Sequence, residues 1–106
     1  MENKNSGFSI VGYTFVADFV EKAFELHYEN ASTLILTTVR GPEVGRKQVL
    51  KVKMVELRPK LFMVTWQEAN KLTVTDIEDY ENGVVYANMT TPSSNFITAK
   101  GTLKKQ

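Results

Sequence analysis

The sequence contains no cysteine, which excludes a disulfide scaffold, a thiolate metal centre and a cysteine nucleophile. It has one histidine, His27, so no multi-histidine metal site can exist within one chain. A Ser-His-Asp triad would have to be built around that single residue. Charge of neither sign dominates. The net charge of +1 gives no general attraction to nucleic acid or to a membrane surface, and neither is expected as a partner. An apolar run such as Leu61 to Gln67 is far too short to span a bilayer. The opening residues, MENKNSGFSI, lack a basic segment followed by an apolar one, so export is not expected and the cytoplasm is the expected location. An all-carboxylate Mg²⁺ or Ca²⁺ site stays open on composition, but Asp76, Glu78 and Asp79 lack the glycine-containing loop of an EF-hand. No metal and no cofactor is expected.

What is present is β pattern. A length of 106 residues suits one domain, and 42% apolar with 24% charged residues is the globular range. Residues 1–7 read as a flexible terminus and 8–106 as a single domain. About eight runs rich in Val, Ile, Thr, Phe and Tyr follow: Gly12–Phe19, Ala23–Tyr28, Thr33–Val39, Arg46–Arg58, Leu61–Glu68, Lys71–Asp79, Gly83–Thr91 and Asn95–Lys104. Turn residues separate them. Asn82-Gly83 suits positive φ, and Pro42, Pro59 and Pro92 stop ladders.

Alternation assigns faces. In the fourth run Lys47, Lys51 and Lys53 mark the odd positions as the wet side, so Arg46 points inward with Leu50, Val52 and Met54. In the fifth run Phe62, Val64, Trp66 and Glu68 share one face. The other, Leu61, Met63, Thr65 and Gln67, is not plainly polar, so that strand is expected to be covered on both sides, by a second sheet, a helix or a dimer partner. One segment is ambiguous. Val16, Phe19, Val20, Ala23, Phe24 and His27 fit the spacing of an amphipathic helix. The same stretch also fits a hairpin, with Tyr13, Phe15, Ala17 and Phe19 on one arm, a turn at Val20-Glu21-Lys22, and Phe24, Leu26 and Tyr28 on the other, and periodicity alone slightly favours the helix. Short antiparallel strands with loops of two to six residues leave a sandwich or an up-and-down barrel, and the short loops favour the barrel.

The segments GPEVGR, VELRPKLFMVTWQEA, VTDIEDYENGVVYANMT and FITAKGTL resemble the MoaF-like (molybdenum-cofactor biosynthesis protein F-like) family of calycin-type β-barrels, over residues 12 to 103. The resemblance implies an all-β, calycin- or lipocalin-like up-and-down antiparallel barrel of about eight strands, of bacterial type, with residues 12 to 28 as a hairpin. The same block is similar to phenolic acid decarboxylases, cofactor-free bacterial enzymes on a related barrel. Their catalytic pair is an arginine in a Gly-Arg segment and a glutamate ending a Trp-x-Glu segment, which Gly45-Arg46 and Trp66-Gln67-Glu68 match. Their two first-strand tyrosines fall here nearest Ala17 and Phe19, neither of which donates a hydrogen bond. The resemblance thus implies the barrel and an Arg–Glu pair without the decarboxylase activity.

Arg46 and Glu68 are therefore the candidate catalytic or anchoring residues. Arg46 could clamp a carboxylate, and Glu68 beside Trp66 could act as acid or base. The alternative is a buried ion pair with no ligand. Trp66, Phe15, Phe24, Tyr28, Phe62 and Tyr86 are expected to line core and pocket together. His27 is expected to be exposed, and Asp76, Glu78 and Asp79 to form a solvated face and turn lead-in. Three functions follow as expectations. The leading one is a barrel that holds a small aromatic or anionic molecule. The others are a cofactor-free lyase or isomerase working through Glu68 and Arg46, and a dimeric interaction module with a filled core.

Overall fold

The computed structural model describes residues 9–106, and the flexible terminus expected over residues 1–7 lies outside the described residues. The strands in chain order are β1 (Thr14–Asp18), β2 (Ala23–Asn30), β3 (Thr33–Arg40), β4 (Lys47–Lys51), β5 (Lys53–Arg58), β6 (Leu61–Gln67), β7 (Thr73–Asp79), β8 (Val84–Thr90) and β9 (Phe96–Lys105). They form one antiparallel sheet ordered β4-β3-β2-β1-β9-β8-β7-β6-β5. Among the described residues no helix is long and apolar enough to cross a membrane. All eight expected runs are strands. The ambiguous segment is the hairpin: Phe15 stands opposite Leu26 and Ala17 opposite Phe24, so a ladder replaces the helical stripe.

The expected barrel is only partly realised. Up-and-down order holds, with β1 pairing β9 to join the two halves. The hydrogen-bonded ladder does not close, because β4 and β5 are the two edges of the sheet. The reason lies in the fourth run. Its first half pairs with β3 and its second half with β6, and the exchange of partners occurs at Val52. The sheet is nevertheless strongly curled. Its edges are one residue apart in the chain, whereas nine flat strands at ~4.8 Å spacing would hold them about 38 Å apart. β4 also approaches β6.

Curling gives the sheet an inside. Phe15 and Ala17 of β1, Leu26 and Tyr28 of β2, Leu34 and Leu36 of β3, and Leu50 of β4 face the same core as Phe62, Val64 and Trp66 of β6 and Val85 of β8. Up-and-down order sorts the turns to two ends. The β2–β3, β5–β6 and β7–β8 turns lie at one end, where Ile10, 1% exposed, packs into the core and Val11 bridges Tyr28. The β1–β2, β3–β4, β6–β7 and β8–β9 turns lie at the other. Gly101 of β9 lets β1 come close. A Cβ there would sit 2.5 Å from the Asp18 carbonyl oxygen.

The β1–β2 turn is strained. Val20 has φ of 77° and the Glu21 N–H donates to the Phe19 carbonyl, the positive-φ γ-turn that a β-branched residue rarely adopts. Surrounding bonds impose it. The Val20 N–H donates to Asp18 Oδ1 at 2.8 Å, and Arg40 donates to the Val20 carbonyl at 2.7 Å and to both Asp18 oxygens. These bonds, with the Arg40 charge, hold the Asp18 carboxyl down at about 2. The Val20 side chain is 80% exposed, so it supplies little packing in return. Val20→Gly is expected to stabilise the protein by about 1 kcal/mol in urea denaturation. Destabilisation would show that the valine side chain is held by contacts.

Candidate functional site

Glu68 follows β6 at the β6–β7 turn, where its N–H donates to the Leu72 carbonyl. It keeps the inward parity of Phe62, Val64 and Trp66 and is 7% exposed. The Trp66 indole N–H donates to Glu68 Oε2 at 3.2 Å. Among the described residues no donor reaches Oε1. Arg46 precedes β4 at the same end of the molecule and has the inward parity of Gln48 and Leu50, but it lies past the last ladder pair, Thr37–Lys47. Its side chain is 46% exposed and pairs with Glu43 at 3.0 Å, and it donates to Gln48 Oε1 at 3.4 Å. Among the described residues no ion pair joins Arg46 to Glu68. The sequence motif thus brings the two to one end of the sheet without bringing them together.

The other expected site residues divide by depth. Phe24 is half-buried at the open end, with its ring edge-on to Phe19 at 6.2 Å between centroids. Phe15, Tyr28 and Phe62 are buried towards the closed end. There Phe15 and Phe62 meet Tyr80 edge-on at 4.7 and 5.9 Å. Tyr86 is a correction. It stands opposite Ile77 and Lys100 on the outer face, 43% exposed, with Lys100 Nζ 5.7 Å from its ring centre. Val85 and Ala87 take the inward positions instead. His27 is on the outer face, half-buried, with Nδ1 hydrogen-bonded to Thr14 Oγ1 at 2.9 Å.

A second correction concerns the acids of β7. Asp79 does lie at the turn, where it caps Asn82 and Glu81. Asp76 and Glu78, expected to be solvated, are 7% and 0% exposed. They follow Val74 on the inner face. Tyr28 donates to both Glu78 oxygens at 3.0 and 2.9 Å, and Tyr80 donates to Oε1 at 2.7 Å. Asp76 hydrogen-bonds to Glu78 as well. Burial pushes the Asp76 carboxyl well above the ordinary carboxylate range, and the adjacent Glu78 adds to that. Burial raises Glu78 too, against the pull of Tyr80, Asp76 and Tyr28. The two acids are thus hydrogen-bonded to each other in a site whose burial disfavours the ionised form of both. Burial and Glu78 raise both phenols, which stay protonated donors. Among the described residues no group of three His, Cys, Asp or Glu is placed to hold a metal ion.

The two ends differ in solvent access. Towards the closed end the inward Tyr28, Leu34, Val64 and Val85 are 0% exposed. Towards the other end, inward residues keep contact with solvent. Met89 and Ile97 are cross-strand partners on the inner face, yet Met89 is half-buried and Ile97 is 43% exposed. Phe19, Phe24, Gln48, Leu72 and Ala99 are half-buried as well. Inward positions are thus more exposed towards the end that carries Trp66 and Glu68, although those two are themselves buried. Sequence reasoning missed Asp76, Glu78 and Tyr80 as inner groups, although Val74, Asp76 and Glu78 share one parity.

The acid pair sets the pH dependence of stability. A carboxyl group whose folded pKa is raised binds its proton more tightly in the native state. Its contribution is full below about pH 4, the unfolded value, and is lost as pH rises through the folded one. Wild-type stability in urea is expected to fall from about pH 4 upward. Asp76→Asn keeps a donor for Glu78 and removes the titration, so its stability curve should be flatter by more than about 1 kcal/mol between pH 5 and 8. Parallel curves would mean that Asp76 is ionised in the native state.

The MoaF-like family profile matches residues 11–104. No curated protein matches the chain. Among solved structures, the chain is similar to the crystal structure of a candidate beta-lactamase from Burkholderia vietnamiensis, with a TM-score of 0.86 and 22% identity over 98% of this chain and 100% of that one. At that identity the likeness concerns the fold. With 94 consecutive residues matched, from 11 to 104, the chain belongs to the MoaF-like family.

Proposed function

We propose that the protein binds a small molecule, non-covalently, in the open end of its curled sheet, which serves as a calycin-type barrel for this purpose. The observation that supports the reading is the exposure of inward-facing apolar side chains there, above all Ile97 at 43% opposite Met89. A sheet that had only to fill its core would bury these residues, as it does Val64 and Val85 at 0%. Apolar walls with few polar groups are the usual make-up of a ligand site. Here the walls are Phe19, Phe24, Leu72 and Met89, and the buried polar group is Glu68 on Trp66. The Arg46–Glu43 pair stands at the rim, its charge already matched. A neutral fluorescent aromatic such as N-phenyl-1-naphthylamine should gain emission on binding, and Ile97→Trp should weaken it at least about tenfold by filling the mouth. Absence of emission gain, together with no retained molecule in native mass spectrometry, would sink the reading.

An outer-face feature favours a second copy of the chain as a further partner. Val55, Met63, Ile77 and Tyr86 form one cross-strand row over β5 to β8, which Leu61 and Val84 of the next outer row extend, with the polar row Lys53, Thr65, Thr75 and Asn88 on its other side. Sedimentation should report a dimer that Met63→Lys dissociates, whereas a wild-type monomer at about 100 μM would exclude this use of the face.

A further inference from the structure

Three carboxyl groups are buried in the interior, those of Glu68, Asp76 and Glu78, and no Lys, Arg or His is buried among the described residues. The anion-binding expectation rested on Arg46, which is out at the rim and engaged by Glu43. An anion entering the open end would meet acceptors on the wall and no matched cation.

The deep pair is closed to a ligand, because Glu78 already takes bonds from Tyr28 on both oxygens, from Tyr80 and from Asp76. Glu68 is different. It is more than nine-tenths buried, and only Oε2 is satisfied, by the Trp66 indole N–H. No donor reaches Oε1 among the described residues. A buried acceptor without a donor is rare and costly, and a donor arriving from outside removes that cost. Phe19 and Phe24, edge-on to one another, take inward positions at the same end of the sheet, and with Trp66 they supply aromatic groups that attract an organic cation. A carboxyl acceptor under aromatic walls is complementary to N–H⁺ donors, and hydrogen bonds between charged partners are the stronger kind.

We infer that the molecule held at this end is an organic amine with an apolar body, its N–H group docked on Glu68 Oε1 and its body against Phe19, Phe24 and Met89. The inference rests on the small-molecule reading above and assigns its ligand class. The indole N–H of Trp66, the single tryptophan, reports on the site directly because it is bonded to Glu68.

Titration of three matched probes, 2-naphthylmethylamine, 2-naphthylmethanol and 2-naphthoate, followed by the shift of the indole N–H resonance, tests it. The amine should bind about tenfold or more tightly than the alcohol, and the carboxylate most weakly. In Glu68→Gln, which retains an oxygen for Trp66, the alcohol should bind as before and the amine should lose its advantage to within about threefold. Tightest binding by the naphthoate in the wild type overturns the inference and leaves the small-molecule reading standing. An amine preference that survives in Glu68→Gln also overturns it, because another group must then recognise the N–H. If none of the three binds, the small-molecule reading itself fails. Should Glu68→Gln not fold, the wild-type ranking decides alone.

Discussion

The bond from Tyr28 to Glu78 holds the two halves of the sheet to one another. Tyr28 is on β2 and Glu78 on β7, four ladder steps apart through β1, β9 and β8. In a flat sheet those strands would lie about 19 Å apart, beyond the combined reach of the two side chains. The bond can form only if the inner faces meet. The relation also works in reverse. A carboxyl group at 0% exposure is tolerated only because two phenols and Asp76 replace its hydration. Removing Tyr28 would leave a buried acid short of a donor, and such defects cost about 1–3 kcal/mol. The curl and the acid therefore depend on each other, and the geometry of the other strands follows from the curl.

The same knot divides the interior. Below Trp66 it is tightly filled, with Ile10, Phe15, Tyr80 and Phe62 packed around Tyr28 and Glu78. Above Trp66, towards the four turns, Phe19, Phe24, Leu72 and Met89 pack against the core only in part. Glu68 lies at that boundary, held by Trp66 two residues before it and, among the described residues, by no side chain from across the interior.

Much of this was legible in the sequence, because alternation survives folding when one face is buried. The parity of Phe62, Val64, Trp66 and Glu68 is the parity observed, and so is that of Gln48, Leu50, Val52 and Met54. The parting of β4 from β5 was not legible, since a strand that exchanges β3 for β6 at Val52 keeps its faces unchanged. Arg46 has the right parity and still escapes to the rim, because parity says which way a residue points and not whether a ladder encloses it. Asp76 and Glu78 were misread for a different reason. Their charge suggested water, while Tyr28, which makes their burial tolerable, is 50 residues from Glu78 in the chain. The nearer signal was Tyr80, two residues on, together with Val74 on the same face. Tyr86 was within reach of alternation, since Val85 and Ala87 already claim the inner face of β8.

The departure from the decarboxylase pattern has a physical consequence beyond the lost tyrosines. An arginine facing a glutamate within the barrel would neutralise it and supply an anchor for a carboxylate. Here Glu43, three residues before Arg46, engages that arginine first, and Gln48 holds it from the other side. With Arg46 tied at the rim, the acids Glu68, Asp76 and Glu78 are buried with no buried Lys, Arg or His beside them among the described residues. The placement of one side chain at the edge of one strand thus decides whether an arginine and a glutamate of matching parity meet.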